Sequence, residues 1–440
     1  MNEVIFPIKL TNGILGETVT LSWKEACLDL ERFPVDSNTF YIRLPNLSLT
    51  QTLKIQFQTL WHKTKGNRVL TGVHFLKPLK EERFSILKDA LLKYKFLNKK
   101  FIILTKNIRN FLQDTKYRFD EFDKIEPDEQ RQIEFIEENK KQIFKKLDSH
   151  FNRIWEIVKN FDRENYRLHQ IYYQQMFYDL FGPDIEINWY IYSKPLGYPG
   201  DYIMMNYIYD YHKGKYLGKS SFEKLINHYT CNIPISCSNI RRKEFFKEKI
   251  LKIIEEKNNA KILSVGCGSC RELIELLNEG KISKHLLFTC LDFEKKTLNF
   301  VRNEIKKIEK KDKTKKRFLS VSYINKNIIE IIEDQKFGEK IEGQDLIYVS
   351  GLCDYLGDKT NSKLIKALFQ ILNKKGTLIV SNINAENCSH RAYYEFLGEW
   401  NMFHRNKEEL LSWVRDFKDI SEIKFENTSR DKYLFLTIKK

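Results

Sequence analysis

The sequence predicts an α/β protein whose C-terminal half holds a doubly wound, mainly parallel sheet. The apolar run at residues 262–265 leads into a small-residue turn at Gly266 and Gly268, and apolar residues then recur at helical spacing. A second apolar run, residues 286–291, ends on Asp292. The predicted order is a strand, a glycine turn, a helix and a second strand that ends on a carboxylate. In a doubly wound sheet, this arrangement binds a nucleoside over the carboxyl ends of both strands.

The turn indicates which kind of nucleoside to expect. A dinucleotide site usually has a third glycine beside the pyrophosphate, whereas here Cys270 leads directly into Arg271 and Glu272. A ligand without phosphates, such as S-adenosylmethionine, fits this turn better. The pattern resembles the first two motifs of class I methyltransferases, although Ser264 stands where many of them have an acidic residue. The alternative is that the two glycines serve only the steric needs of the turn.

The later strands extend this resemblance. Residues 318–323, 345–349 and 376–380 read as the third, fourth and fifth strands, and residues 422–426 and 433–438 suit the antiparallel final hairpin typical of class I methyltransferases. The resemblance implies a Rossmann-like sheet of seven strands with S-adenosyl-L-methionine as cofactor. The predicted cofactor-binding residues are Gly266, Gly268, Asp292, Asn325, Ser350 and Leu352.

A second distinctive stretch precedes this domain. Residues 193–210 read SKPLGYPGDYIMMNYIYD, and residues 218–227 and 240–242 add to the pattern. They resemble the KP-x-GY-x-GD-[YF]-x-MMN segment of bacterial methyltransferases of 3-hydroxypalmitic acid methyl ester biosynthesis. The resemblance covers about residues 165–440. It implies O-methylation of a fatty-acid-like, 3-hydroxy acyl carboxylate.

The implied reaction limits the choice of catalytic residues. A carboxylate is already ionised at neutral pH and needs no general base, so groups that orient it matter most. The predicted catalytic residues are Tyr198, His390 and Arg405, and the predicted substrate-pocket residues are Asp201, Tyr355 and Trp400. Each has a plainer alternative: His390 and Asp201 as helix caps, Trp400 as core, and Arg405 as an ion-pair partner of Glu408 or Glu409. Asp201 and Asp354 are the candidate bases if the acceptor is a hydroxyl or an amine.

The N-terminal region reads as short strands. Polar and apolar residues alternate at 19–23, 39–44, 53–57 and 69–75, which predicts a small β-barrel. Asn46 and Ser48 fit the D/N-x-S-x-x-G motif of PilZ domains, which this region resembles. Gln51 replaces the motif's glycine and no RxxxR arginine pair precedes it. We therefore do not expect cyclic di-GMP as a ligand, and a role in packing or partner contact is the alternative.

Helical periodicity follows, with a predicted break and restart at residues 126–129. The predicted organisation is a PilZ-like barrel at 1–95, a helical connector at 96–182, a substrate cap segment at 183–245 and a methyltransferase domain at 246–440. The 440 residues include 42% hydrophobic ones, enough for several cores.

Charge and cysteines restrict the other readings. The net charge of +16 leaves methylation of RNA or protein as a second enzymatic reading, but the densest lysine run, residues 306–316, includes acidic residues and no aromatic residue. No DNA partner is expected. A non-catalytic, ligand-sensing regulator is the alternative outside enzymes.

The only CxxC, at 267–270, lies inside the glycine turn, so no metal is expected. Eight cysteines without a signal peptide or an apolar run of membrane-spanning length suggest a cytoplasmic protein. The oligomeric state is not predicted.

Overall fold

The structure, a computed structural model, describes the chain in two compact units. The first contains Met1–Pro199, Tyr216–Thr230 and His390–Trp400, and the second contains Gly200–Lys215, Cys231–Ser389 and Asn401–Lys440. The predicted cap segment at 183–245 contributes to both units, and the predicted four-part division stays a prediction. The described residues are 6–440 without 12–13, 22–23, 31–33, 35–36, 44–51, 67, 83–84, 88–93, 95, 212–214, 335–336, 338–340, 342, 388 and 427–431.

The first unit begins with a closed antiparallel barrel of strand order β1-β2-β3-β6-β5-β4. Every second residue of β3 is buried, because alternate side chains of a strand point to opposite faces. Inside the barrel, the ring of Phe40 lies 5.5 Å from that of Phe57 and 5.9 Å from that of Phe75. The predicted small barrel is confirmed, whereas Asn46, Ser48 and Gln51 lie outside the described residues. The strands are β1 Pro7–Leu10, β2 Leu15–Leu21, β3 Glu25–Leu30, β4 Thr39–Arg43, β5 Thr52–Lys65 and β6 Arg68–Phe75.

Helices form the rest of the first unit. They are α1 Lys99–Ile125, α2 Glu129–Val158, α3 Arg163–Phe181, α4 Glu186–Ser193, most of α6 Ser221–Asn232 and a π-helix at Ala392–Leu397. The predicted break at 126–129 is confirmed, since α1 ends at Ile125 and the Asp128 side chain caps α2 by accepting from the Arg131 N–H. None of the helices in the described ranges has the length and apolar character needed to cross a bilayer.

A buried ion pair joins α1, α3 and the barrel. The guanidinium of Arg109 donates to both carboxylate oxygens of Asp179 at 2.7 Å, and also to the carbonyl oxygens of Met176 and Gly16. The side chains of Arg109 and Asp179 are 1% and 6% exposed. Because both charges are out of water, each depends on the other for its stabilisation.

The second unit is built on a seven-stranded sheet of order β12-β13-β11-β10-β7-β8-β9. The pairs β7–β8, β8–β9, β7–β10 and β10–β11 are parallel, and β13 runs antiparallel to both β11 and β12. The predicted seven strands and antiparallel final hairpin are confirmed. The strands are β7 Asn259–Val265, β8 His285–Asp292, β9 Leu319–Asn325, β10 Gln344–Val349, β11 Leu372–Ile383, β12 Glu422–Glu426 and β13 Tyr433–Lys439.

The order of these strands reverses between β7 and β10. After β7 the chain adds β8 and β9 on one side, and β10, β11 and β13 lie on the other. In open parallel sheets a ligand binds at the carboxyl ends of the strands beside such a reversal. The helices of this unit are α5 Tyr202–Tyr211, α7 Pro234–Glu256, α8 Arg271–Asn278, α9 Lys295–Lys311, α10 Ile328–Glu333, α11 Asp358–Gln370 and α12 Lys407–Ser412.

We expect loss of one member of the Arg109–Asp179 pair to destabilise the first unit strongly. Arg109→Met leaves the Asp179 carboxylate buried without its partner, which costs about 3–5 kcal/mol of unfolding free energy. Urea denaturation followed by circular dichroism measures it. Arg131→Met is the control, because its ion pair with Glu134 is exposed and is worth at most about 1 kcal/mol. Equal losses in the two variants would contradict the assignment.

Candidate nucleoside site in the second unit

The turn between β7 and α8 needs its glycines for conformation. Gly266 and Gly268 have φ angles of +63° and +51°, in the left-handed region that favours glycine. A Cβ on Gly268 would meet no atom within 4 Å, so its face is open. A Cβ on Gly266 would lie 3.4 Å from the Leu352 side chain. The turn therefore leaves room for a ligand at Gly268, while Leu352 packs against Gly266.

Asp292 holds this turn from the end of β8. Its Oδ2 accepts a hydrogen bond of 3.1 Å from the Gly268 N–H, and its Oδ1 accepts one of 3.0 Å from the Glu294 N–H. Burial raises the pKa of this carboxyl above its usual value, although these N–H groups oppose the shift. A carboxylate has about four acceptor positions, so two N–H donors leave capacity for two hydroxyls. This is the hydrogen-bonding capacity that a ribose diol requires.

Asn325 and Phe293 lie next to Asp292. The Asn325 amide nitrogen donates to the carbonyl oxygens of Asp292 and Phe293 at 3.0 and 2.8 Å. Phe293, the residue directly after Asp292, is 53% exposed. An exposed aromatic face beside a ribose position can stack on a purine base. Phe293 was not among the residues predicted from the sequence to bind the cofactor, although it directly follows Asp292.

The loop after β10 lies at the same sheet edge. Ser350 and Leu352 are half-buried, and between them Gly351 has a φ of +81°. The Gly351 N–H donates to the Ser381 hydroxyl at the end of β11. The structure thus brings all six predicted cofactor residues to one edge of the sheet: Gly266, Gly268, Asp292, Asn325, Ser350 and Leu352. Their role in binding a cofactor stays a prediction.

Part of the predicted cap segment, α5, contacts the helix that follows the glycine turn. Asp201 is 1% exposed and caps α5, because its carboxylate accepts from the N–H groups of Ile203 and Met204 at 2.9 and 3.0 Å. The Arg271 guanidinium donates to the side chains of Asn206 and Asp210 at 2.9 and 3.0 Å. These bonds fix α5 against the start of α8. The capping geometry favours the structural alternative for Asp201.

Arg405 is held entirely by protein groups. Its guanidinium donates to the Asp358 carboxylate at 2.8 Å, to Asn382 Oδ1 at 2.9 Å and to the carbonyl oxygens of Cys353 and Leu356. The side chain is 3% exposed. The ion-pair partner of Arg405 is therefore Asp358, whereas the sequence-based alternative named Glu408 or Glu409. Contact with a substrate stays a prediction, and these contacts favour a structural role.

A second buried arginine, Arg242, lies beside Asp354 near the same edge. Arg242 Nη1 is 4.0 Å from Asp354 Oδ2, and Asp354 Oδ1 accepts from the Ile383 N–H at 2.7 Å. Burial raises the pKa of Asp354 to about 7, although Arg242 opposes the shift. Tyr355, half-buried in the same loop, interacts electrostatically with Arg242. Sequence reasoning quoted Arg242 only as part of a family pattern.

The three other predicted residues belong to the first unit. His390 has a φ of +68°, its Nε2 lies 2.8 Å from Asp148 Oδ1, and its N–H donates to Asn152. Trp400 is 7% exposed, and Tyr198 is half-buried in the loop before α5. The hydroxyl of Tyr229 also donates to Asp148. The contacts of His390 show a side chain that anchors the start of the π-helix, and its catalytic role stays a prediction.

The first unit also has an aromatic pocket of ≈ 450 Å³, which includes space open to solvent. Asn188 lies in its wall and donates to the Tyr393 hydroxyl at 2.9 Å. Most of the lining is apolar, so the pocket suits an apolar ligand. The lining residues are Gln174, Phe177, Tyr178, Phe181, Gly182, Asn188, Ile191, Tyr192, Tyr393, Tyr394, Leu397 and Gly398.

The cysteines of the glycine turn are buried thiols. Cys270 Sγ lies 4.0 Å from Cys290 Sγ on β8. Burial raises the pKa of Cys270 to about 12. Hydrogen bonds with the Cys267 and Cys270 thiols, together with burial, raise the pKa of Cys290 well above its usual value. Because the thiolate is the nucleophile and the metal ligand, these thiols are poorly suited to either task at neutral pH. Among the described residues, no group of three His, Cys, Asp or Glu side chains is placed to hold a metal ion.

Comparisons with known proteins found distantly similar solved structures. No family model matches the sequence, and no curated protein does. A possible exported protein from Bordetella parapertussis is similar over 64% of this chain and 89% of its own, at 13% identity and a TM-score of 0.43. The magnesium protoporphyrin IX methyltransferase of Synechocystis with bound S-adenosylhomocysteine is similar over 57% and 96%, at 10% identity and a TM-score of 0.37. An O-methyltransferase family protein from Burkholderia thailandensis is similar over 49% and 60%, at 11% identity and a TM-score of 0.32. Similarity at this level does not distinguish one function from another.

We expect Asp354 to make stability depend on pH. A raised pKa means that the folded state holds the proton more tightly than the unfolded chain, so this contribution is fully present below about pH 4 and is lost as the pH rises through about 7. Asp354→Asn replaces the titrating carboxyl by a neutral amide, so the variant does not lose this stability as the pH rises. The variant should therefore gain stability relative to the wild type, by on the order of a few kcal/mol, between about pH 4 and about pH 8.

Urea denaturation at a series of pH values measures this difference. Asp416→Asn, at an exposed aspartate, is the control. If the wild-type and Asp354→Asn curves run parallel from acidic to slightly alkaline pH, the carboxyl does not titrate in this range and the argument is wrong.

Proposed function

We propose that the chain is an S-adenosyl-L-methionine-dependent methyltransferase. The observation that carries the proposal is the Asp292 carboxylate, which is held by the Gly268 N–H at the carboxyl end of β8 and retains acceptor capacity for two hydroxyls. The reversal of strand order between β7 and β10 supports a ligand at this edge. The open face of Gly268 supports a close approach of that ligand.

The residues present fit this cofactor better than a dinucleotide. Asp292 would bind the ribose, Asn325 and Phe293 would contact the adenine, and the turn at Gly266 would pass beside the methionine portion. The residue before α8, Cys270, has a φ of 45° and makes no side-chain cap to the helix. The start of α8 is covered on one side by Arg271 and its partners on α5, so a pyrophosphate cradle is not what this turn provides.

The acceptor that we propose is the carboxylate of a fatty-acid-like, 3-hydroxy acyl molecule. The bound cofactor supplies a methyl group on a positively charged sulfur, and as the carboxylate oxygen forms its bond to that carbon the carbon–sulfur bond breaks with its electron pair left on sulfur. The acceptor is already ionised, so the chain has to align it and exclude water and needs no base. Support comes from the sequence pattern at residues 193–210.

The alternatives have less support. An RNA or protein acceptor rests on the charge of +16, yet lysines of the basic run are paired, Lys307 with Glu304 and Lys316 with Glu309. A non-catalytic sensor would use the same nucleoside site. Retained ligand binding without turnover would favour that reading.

The first test is calorimetric titration with S-adenosylmethionine and S-adenosylhomocysteine. We expect the wild type to bind both and Asp292→Ala to weaken binding about tenfold or more, because two ribose hydrogen bonds to a charged acceptor are lost. Glu304→Ala is the control, since it removes a negative charge from α9 without touching the turn. Absence of binding to the wild type would overturn the proposal.

A second measurement tests the acceptor. Cofactor consumption is followed with 3-hydroxy fatty acids of several chain lengths and with their primary amides. Methyl transfer to the acids alone is the expected result. Transfer to RNA or to a protein substrate, with none to the acids, would remove the carboxylate from the proposal and leave the cofactor assignment in place.

A further inference from the structure

The second unit contains a buried guanidinium whose N–H donors are only partly used by the described residues. The Arg242 side chain is 6% exposed on α7, and Asp354 Oδ2 lies 4.0 Å from its Nη1. Its Nη2 contacts the Met205 sulfur at 3.8 Å, and the guanidinium also hydrogen-bonds the Tyr209 side chain. A thioether and a phenol are weaker acceptors than a carboxylate. The Nε is buried and has no hydrogen-bond partner within the described residues. A guanidinium has five N–H donors, and burying it without strong acceptors is costly.

Burial opposes the charge of Arg242, but the nearby Tyr433, Tyr209 and Asp354 outweigh it, so the pKa of the guanidinium is raised. Asp354 already directs one oxygen at the Ile383 N–H, and its raised pKa means that its negative charge is only partly present at neutral pH. Glu272 interacts with Arg242 at longer range and accepts a hydrogen bond of 2.5 Å from the Tyr348 hydroxyl. Arg242 therefore retains capacity for a further anionic partner.

The position of Arg242 in the sheet indicates which anionic ligand would bind to it. Its guanidinium lies 4.3 Å from the centre of the Tyr433 ring, at the start of β13, where Tyr433 pairs with Ile383 at the end of β11. A Cβ on Gly351, just after β10, would lie 2.5 Å from Arg242 Nη1, so this glycine makes room for the guanidinium. Asp292 and Asn325 are on β8 and β9, on the other side of β7. Arg242 thus lies beside Gly351 on the β10 side of β7, whereas Asp292 and Asn325 lie on the other side.

We propose that Arg242 binds the carboxylate of the methyl acceptor, with Met205 giving way to a carboxylate oxygen. This inference rests on the proposed function and adds the residue that selects the acceptor. Arg242 is suited to this task because a guanidinium presents two parallel N–H donors to a carboxylate. Tyr209 and Tyr433 lie beside the charge and surround the bound group with phenols.

The test compares Arg242→Gln, Arg242→Lys and the control Arg241→Gln, whose arginine is exposed and donates to Ser238. The probe is 3-hydroxydodecanoate, with its primary amide as the uncharged analogue. Binding of each is measured by calorimetry with S-adenosylhomocysteine present, and KM and kcat are measured for the acid. S-adenosylhomocysteine affinity is measured separately, and it also shows that each variant is folded.

We expect Arg242→Gln to raise the KM for the acid about tenfold or more and to abolish the preference for acid over amide. Arg242→Lys should retain part of the preference, because it keeps a point charge without the paired donors. Arg241→Gln and the S-adenosylhomocysteine affinities should match the wild type.

Two results would overturn the inference and leave the methyltransferase assignment intact. In the first, Arg242→Gln weakens S-adenosylhomocysteine but leaves the acid–amide preference unchanged, which would assign the guanidinium to the cofactor's own carboxylate. In the second, both affinities stay unchanged, which would make Arg242 structural. Failure of the wild type to bind S-adenosylhomocysteine is a separate result that removes the proposed function itself.

Discussion

The hydrogen bond from the Gly268 N–H to the Asp292 carboxylate organises the candidate site. It joins the turn after β7 to the end of β8, and it forms only because Gly268 adopts a positive φ that aims its N–H at the neighbouring strand. A carboxylate buried at 4% exposure would be unfavourable without such donors. The same bond therefore fixes the shape of the turn and keeps an acceptor at the sheet edge.

Sequence reasoning recovered the elements whose signal is local. The strands β7 and β8 end in apolar runs because their carboxyl-terminal ends are buried on both faces. The glycines between β7 and α8 mark positive φ angles. The break between α1 and α2 was visible in its proline and acidic residues. In the barrel, β1 and β3 were missed, since the alternation that signals a half-buried strand is short there and depends on pairing with distant strands.

The sequence did not indicate which groups each polar side chain contacts. Arg405 and Arg242 are both arginines close to family-like motifs, yet Arg405 is surrounded by a carboxylate, an amide and two carbonyls, whereas Arg242 has a thioether and a carboxylate at 4.0 Å. These environments come from elements far apart in the chain. Sequence spacing predicts where a side chain sits on its helix but not which acceptors other elements bring to it.

The contrast between the two arginines also bears on why a buried charge is kept. Replacing a buried ion pair by apolar residues is often neutral or stabilising. Burial raises the pKa of Asp354 and so favours its neutral form. The stability of the fold alone therefore does not explain why an arginine lies beside this carboxyl. Arg405, with its acceptors filled, has a structural explanation. Arg242 is stabilised by phenols and by a carboxyl at 4.0 Å, and its Nε donor is unused, so an anionic ligand can complete its hydrogen bonding. The cost of burying Arg242 would then be offset when the acceptor binds, which links the selection of a carboxylate to the charge balance of the sheet edge.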